Sequence, residues 1–201
     1  MIQSLNAILR RIPNWSLYIM GAGWAGYLFY LGLTGGLGVE PVEALEHRYG
    51  KIGLQLLIAG LLITPLRKHA GINLIKHRRA IGVLAFFFVL AHFLVWAVLD
   101  IQRIDRIWAD IVKRPYVTIG MASFLMLIPL AMTSNNMSLR KMGGAAWRKL
   151  HKLTYPAVAL GGLHYVWLVK GFQIEPILYL IGIAALLALR VKLKVPAKSM
   201  A

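Results

Sequence analysis

Residues 14–33 read NWSLYIMGAGWAGYLFYLGL, 20 positions without a charged side chain. At ~1.5 Å per residue a helix of this length crosses the ~30 Å hydrocarbon layer of a bilayer, so Asn14–Leu33 is read as a membrane span. Arg10 and Arg11 precede it as they would precede a signal peptide. The apolar run outlasts an h-region, however, and no Ala-x-Ala site follows, which points to an uncleaved anchor. The same stretch spells G-x-G-x-x-G from Gly21 to Gly26. A dinucleotide fingerprint needs a strand before it and a βαβ unit around it, and neither fits inside a span. The small residues at Gly21/Ala25 and Ala22/Gly26 instead make a helical face that lets another helix or a flat cofactor approach closely.

Working outward, five more apolar segments follow, at about 52–66, 80–99, 116–132, 153–169 and 176–189, each bounded by charge, Pro or Gly. Pro65 is read as the end of the second. The expectation is an all-α, polytopic membrane protein of six transmembrane helices in one domain spanning residues 1–201. The composition agrees: 59% of the 201 residues are hydrophobic and only 15% are charged. A net charge of +16 would otherwise suggest nucleic acid, but a nucleic-acid-binding domain has denser Lys and Arg and a lower apolar fraction. Cysteine is absent, which excludes disulfides, Cys-ligated zinc or iron–sulfur sites and c-type haem attachment.

The charges also give an orientation. The tail before the first span and the segments after spans two, four and six carry 16 Lys/Arg and no acid, while the other three connections carry all seven acids against seven basic residues. Positively charged segments stay in the cytoplasm, so both termini are placed there. The seven acids then face the other side.

Ionisable groups inside a membrane are costly and point to function. His92 lies eight residues before Asp100 and His164 six before Lys170, so the two sit at similar depth, ~12 and ~9 Å from the same side. Two neutral imidazoles at one depth on two helices can hold one haem iron from opposite faces, an arrangement suited to electron transfer; the alternative is cross-helix hydrogen bonding. His151 lies 13 residues, ~20 Å, before His164, far enough for a second haem stacked across the bilayer. His77 is at the matching level to supply its other ligand, and Arg78 beside it could meet a propionate or the iron; the plain alternative is an interfacial cluster of His and basic residues. His47 and His69 are read as solvated loop residues.

An ordered set of motifs then makes the chain familiar: Gly35-Gly36-Leu37-Gly38 with Pro41, Ile63-Thr64-Pro65-Leu66, Arg78-Arg79 with Gly82, and His92. The set continues through Arg114-Pro115-Tyr116-Val117-Thr118-Ile119-Gly120, Trp147, Leu150-His151 and His164-Tyr165. From about Gly35 to Gly171 the sequence resembles the MsrQ (YedZ) family of haem-binding membrane subunits, within the ferric-reductase-like transmembrane superfamily. That resemblance implies b-type haem, with His92, His151 and His164 on the family's ligand positions, and a haem count of one or two. It also implies an FMN association, to which no residue is assigned, and electron delivery to a periplasmic molybdopterin methionine sulfoxide reductase. His77 matches no characteristic family histidine. Relatives in the wider superfamily carry flavin and nicotinamide domains for which this chain has no residues left, so electrons are expected from a cytoplasmic flavin reductase or the quinone pool. The competing readings are a b561-type quinol cytochrome and a small transporter or scaffold with hydrogen-bonded histidines.

Overall fold

The computed structural model describes residues 2–169 and 171–190, and every regular element among them is helical. The elements are α1 (Ile2–Arg11), α2 (Asn14–Leu33), α3 (Pro41–His69), α4 (Arg78–Leu94), α5 (Ile104–Lys113), α6 (Pro115–Met132), α7 (Asn136–Leu150), α8 (Thr154–Leu168) and α9 (Ile174–Ala188). Helices α2, α3, α4, α6, α8 and α9 overlie the six apolar segments. Three helical stretches, Pro41–His69, Ile75–Ile101 and Pro115–Met132, are long and apolar enough to cross a membrane, and Ile174–Ala188 is a shorter apolar helix. The fold is all-α and polytopic. Lys170, Lys192, Lys194 and Lys198, used in the charge count, lie outside the described residues.

Several boundaries differ from expectation for identifiable reasons. Helix α3 starts at Pro41, with proline at its first turn, and not at residue 52. Glu43, Glu46, His47, Arg48 and Lys51 interrupt the apolar run but not the backbone hydrogen-bonding, so His47 is on a helix and not in a loop. Pro65 lies inside α3, which continues to His69. Proline has no N–H to offer the carbonyl four residues back, and that carbonyl, Leu61 O, accepts from Arg190 Nη2 at 2.5 Å. A guanidinium at the end of α9 thus repairs the ladder that Pro65 opens. The connections expected at 100–115 and after span four contain α5 and α7.

The core is built by α3, α4, α6, α8 and α9 around Leu54, Leu57, Leu61, Ala85, Leu127, Leu130, Ala157, Val158 and Ile183. A second cluster, Leu28, Leu45, Tyr49 and Phe88, joins α2 to it. The small-residue face of α2 is used for packing: a Cβ on Gly21 would collide with Leu84, and Ala25 O accepts from the Tyr49 hydroxyl at 2.7 Å. At one end of the bundle, hereafter the acidic end, Glu43, Glu46 and Asp100 line a single cavity and Lys51 pairs with Glu175. The opposite, basic end gathers Lys76, Arg78, Arg79 and Arg190.

Candidate haem site

Two histidine seats of the same design face each other at the acidic end. His92, on α4, donates its Nδ1–H to the carbonyl of Glu46 on α3 at 3.0 Å. His164, on α8, donates its Nδ1–H to the carbonyl of Tyr116 on α6 at 2.7 Å. A carbonyl can only accept, so each contact assigns the proton to Nδ1 and leaves the Nε2 lone pair free. Four residues after each carbonyl comes a glycine, Gly50 or Gly120, and its lack of a side chain admits the imidazole. A Cβ at Gly50 would stand 3.0 Å from His92 Nδ1, and one at Gly120 would stand 2.8 Å from His164 Nδ1.

The ring centroids of His92 and His164 are 6.2 Å apart with planes inclined at 67°. An iron held by two imidazole nitrogens at about 2 Å, each about 1 Å from its ring centre, needs about 6 Å between centroids. The separation fits one metal between the rings. Both rings line a cavity of about 580 Å³, within the usual ~300–1,000 Å³ of cofactor sites. Gly50, Gly120 and Gly161 thin its walls, as a flat macrocycle requires. Phe93 and Phe124 also line it and stack with centroids 5.0 Å apart, and Phe124 stacks on Phe86 behind it at 6.0 Å. Arg48, Lys51 and Arg114 also line the cavity, Lys51 pairing with Glu175 and Arg114 with Asp110. Beyond Leu94 the helix winds as a π-helix, Val95–Ile101, that ends at Gln102 in the left-handed region (φ 61°). The wider turn keeps residues four apart on one face, so His92, Trp96 and Asp100 all line the cavity.

The basic-end residues are disposed differently. His77 is buried, with Nδ1 2.8 Å from Asn14 Oδ1 and Nε2 3.0 Å from the Leu9 carbonyl. Both ring nitrogens are committed to tying α1 and α2 to the start of α4. In this arrangement neither ring nitrogen of His77 is left over for an iron, since a ligating nitrogen needs its lone pair free. His151 stacks on Trp147 with centroids 3.7 Å apart and shares a hydrogen bond of 3.1 Å between Nε2 and Thr133 Oγ1. Burial, followed by the Arg78 and Arg79 cations, pushes its pKa down to about 4. Arg78 itself is exposed. Neither His77, Arg78 nor His151 lines the cavity that holds His92 and His164.

Sequence reading found the two imidazoles but missed their seats. The partners Glu46 and Tyr116 act through backbone carbonyls, which carry no residue signature. The only available signal was a glycine four positions on from each.

Comparison with known proteins adds to this geometry. Residues 49–162 match the family described as ferric reductase like transmembrane component. A relative from Agrobacterium fabrum, named protein-methionine-sulfoxide reductase heme-binding subunit MsrQ, is 48% identical over 177 residues, covering 88% of this chain and 82% of the relative. Relatives of the same name from Brucella ovis and Brucella suis are also 48% identical, covering 88% of this chain and 80% of each relative. No solved structure matches the chain.

Proposed function

The chain belongs to the MsrQ family of haem-binding subunits, and from that membership we propose that it holds b-type haem between His92 and His164 and passes electrons across the inner membrane to a periplasmic methionine sulfoxide reductase. The observation that carries this reading is the pair of imidazoles, 6.2 Å apart, each with Nδ1–H donated to a carbonyl and Nε2 free. Bound haem supplies an iron that takes up and gives back one electron at a time. The chain's own residues do the rest. The carbonyls of Glu46 and Tyr116 fix the tautomer and orientation of each ring and raise its basicity. His92 and His164 would hold the haem through two neutral imidazole nitrogens, a ligand set that suits electron transfer. Phe93 and Phe124 line the cavity with apolar rings that would exclude water from a bound group, and Arg48 and Arg114 would offer counter-charge to its acidic substituents.

With the basic end in the cytoplasm, the acidic end and its cavity face the periplasm. The catalytic partner there is a molybdopterin methionine sulfoxide reductase, docking on Leu33–Lys51 and Asp100–Pro115. The donor is a cytoplasmic flavin reductase or a membrane quinol. His151 remains the candidate ligand for any second haem, with Arg78 beside it.

The test is the visible spectrum of purified protein expressed with adequate haem. Wild type shows a Soret band and low-spin reduced bands, and His92→Ala and His164→Ala each lose the low-spin bands. A wild-type spectrum in both variants, or no Soret band in the parent, overturns the assignment.

A further inference from the structure

Helix α5 joins two membrane spans on the acidic side, and packing uses only half of its apolar face. Ile104, Ile107, Trp108, Ile111 and Val112 fall within an arc of about 140° at ~100° per residue. Ile107 and Ile111, on one side of that arc, are half-buried, where the helix packs on α6 and on the π-helical turn Val95–Ile101. Ile104, Trp108 and Val112, on the other side, are 86%, 69% and 65% exposed. Spaced four apart, they form one stripe. The opposite face carries Asp105, Arg106 and Lys113, all exposed.

The path of the chain confines α5 to the membrane boundary. The helix starts three residues after the span Ile75–Ile101 and ends two before the span Pro115–Met132. Arg103 and Arg114, one at each end, have extended backbones that turn the corners. A helix of 10 residues is ~15 Å long, and standing upright it would hold one end that far from the bilayer. With both ends tied to spans, it lies along the surface. Its exposed stripe also continues the outward side of the preceding span, where Val98 and Leu99 are exposed.

We propose that α5 is a membrane-surface helix whose stripe, Ile104, Trp108 and Val112, inserts into the phospholipid boundary at the acidic end. Each part of the helix suits that boundary. The aliphatic side chains enter the acyl layer, and an indole is favoured at its edge, with its apolar body in lipid and its N–H among the headgroups. On the polar face Asp105 pairs with Arg103 and Asp110 with Arg114. Arg106 and Lys113 make no ion pair among the described residues and are available to headgroup phosphates. A soluble protein does not reach a stripe turned into the bilayer, so the partner proposed above meets only the polar edge of α5. The anchorage extends to the histidine cavity. Asp100 before α5 and Arg114 after it both line that cavity, and Thr118 on α6 donates its hydroxyl to the Ile111 carbonyl. The rim of the cavity is thereby held at the level of the membrane surface.

The chain has no cysteine, so single-cysteine variants report one position each. Ile104→Cys, Trp108→Cys and Val112→Cys are compared with Asp105→Cys, Arg106→Cys and Lys113→Cys in nanodiscs of phosphatidylethanolamine and phosphatidylglycerol. Alkylation by a charged, water-borne maleimide is followed by mass spectrometry. The three stripe positions are expected to react at least about 10-fold more slowly than the three polar ones, because a thiol in apolar surroundings holds less thiolate. All six positions are exposed, three on each face, so the comparison does not hang on any one variant folding. In parallel, the unsubstituted protein is illuminated in nanodiscs containing a diazirine phospholipid, and the label is expected on the stripe residues of α5. Equal alkylation of the two sets overturns the proposal. So does slow alkylation of the stripe without lipid label, the result that a covering protein or a second copy of the chain would give. Neither readout involves haem, so failure of this surface and failure of the haem assignment are distinguishable.

Discussion

The histidines at the two ends of the bundle occupy equivalent places and do opposite work. His77 just precedes α4, which carries His92 towards its other end, and His151 precedes α8, which carries His164, so sequence spacing alone pairs them as two stacked sites. At the acidic end each imidazole gives Nδ1–H to a carbonyl on a neighbouring helix and presents Nε2 to a shared cavity. At the basic end His77 spends both nitrogens on Asn14 and Leu9, and His151 engages Thr133 through Nε2 while lying flat on Trp147. Residue type and depth nominate a ligand. What the second nitrogen meets decides whether the first is free.

The largest effect that could break this contrast is on haem content. His164→Ala and His92→Ala should each remove the low-spin haem, whereas His77→Ala should keep it, measured as pyridine haemochrome per mole of protein. Loss of haem in His77→Ala would return that residue to the ligand set. Next come the glycine seats. Gly120→Ala places a Cβ 2.8 Å from His164 Nδ1, too close to stand without a shift, and displacing an outer hydrogen-bond partner of a ligand typically costs ~10–100-fold in affinity. Gly50→Ala, at 3.0 Å from His92, should weaken haem retention by less. Equal retention in Gly120→Ala and the parent, in a competition with apomyoglobin, would show that the seat does not hold the ring.

Smaller effects sharpen the basic end. His77→Ala leaves Asn14 Oδ1 and the Leu9 carbonyl without their partner and should lower unfolding stability by ~1–3 kcal/mol in a denaturant titration, with the haem bands retained. The least effect is in pH dependence. His151 titrates near 4 in the fold against an ordinary 6.5, so between those values the unfolded chain binds more protons than the folded one. Its contribution to stability is intact above about 6.5 and falls as pH drops towards about 4. Thermal unfolding in this window should lose part of its pH slope in His151→Gln. An unchanged slope would mean that the imidazole is already shielded by a ligand.

The spans were legible because 20 uncharged residues in 14–33 and the runs after it leave few alternatives to a bilayer. The start of α3 was not, since hydropathy marks where charge begins and helical hydrogen-bonding continues through Glu46 and Lys51 to Pro41. Pro65 misled in the same way: a proline stops a helix only if nothing satisfies the carbonyl it abandons, and Arg190 does so from the far end of the chain. His92 and His164 were visible because an apolar setting makes any imidazole conspicuous. His77 stood in an equally basic setting as His151, and only the packing of α1 and α2 against α4 shows that its nitrogens are taken.

His92 and His164 are proposed to bind one iron as two neutral imidazoles. Electron paramagnetic resonance of the oxidised, purified protein tests it most directly. The expected result is a low-spin ferric signal that disappears in His92→Ala and in His164→Ala and persists in His77→Ala. A high-spin signal in the parent protein, or a low-spin signal that survives either of the first two substitutions unchanged, would contradict it.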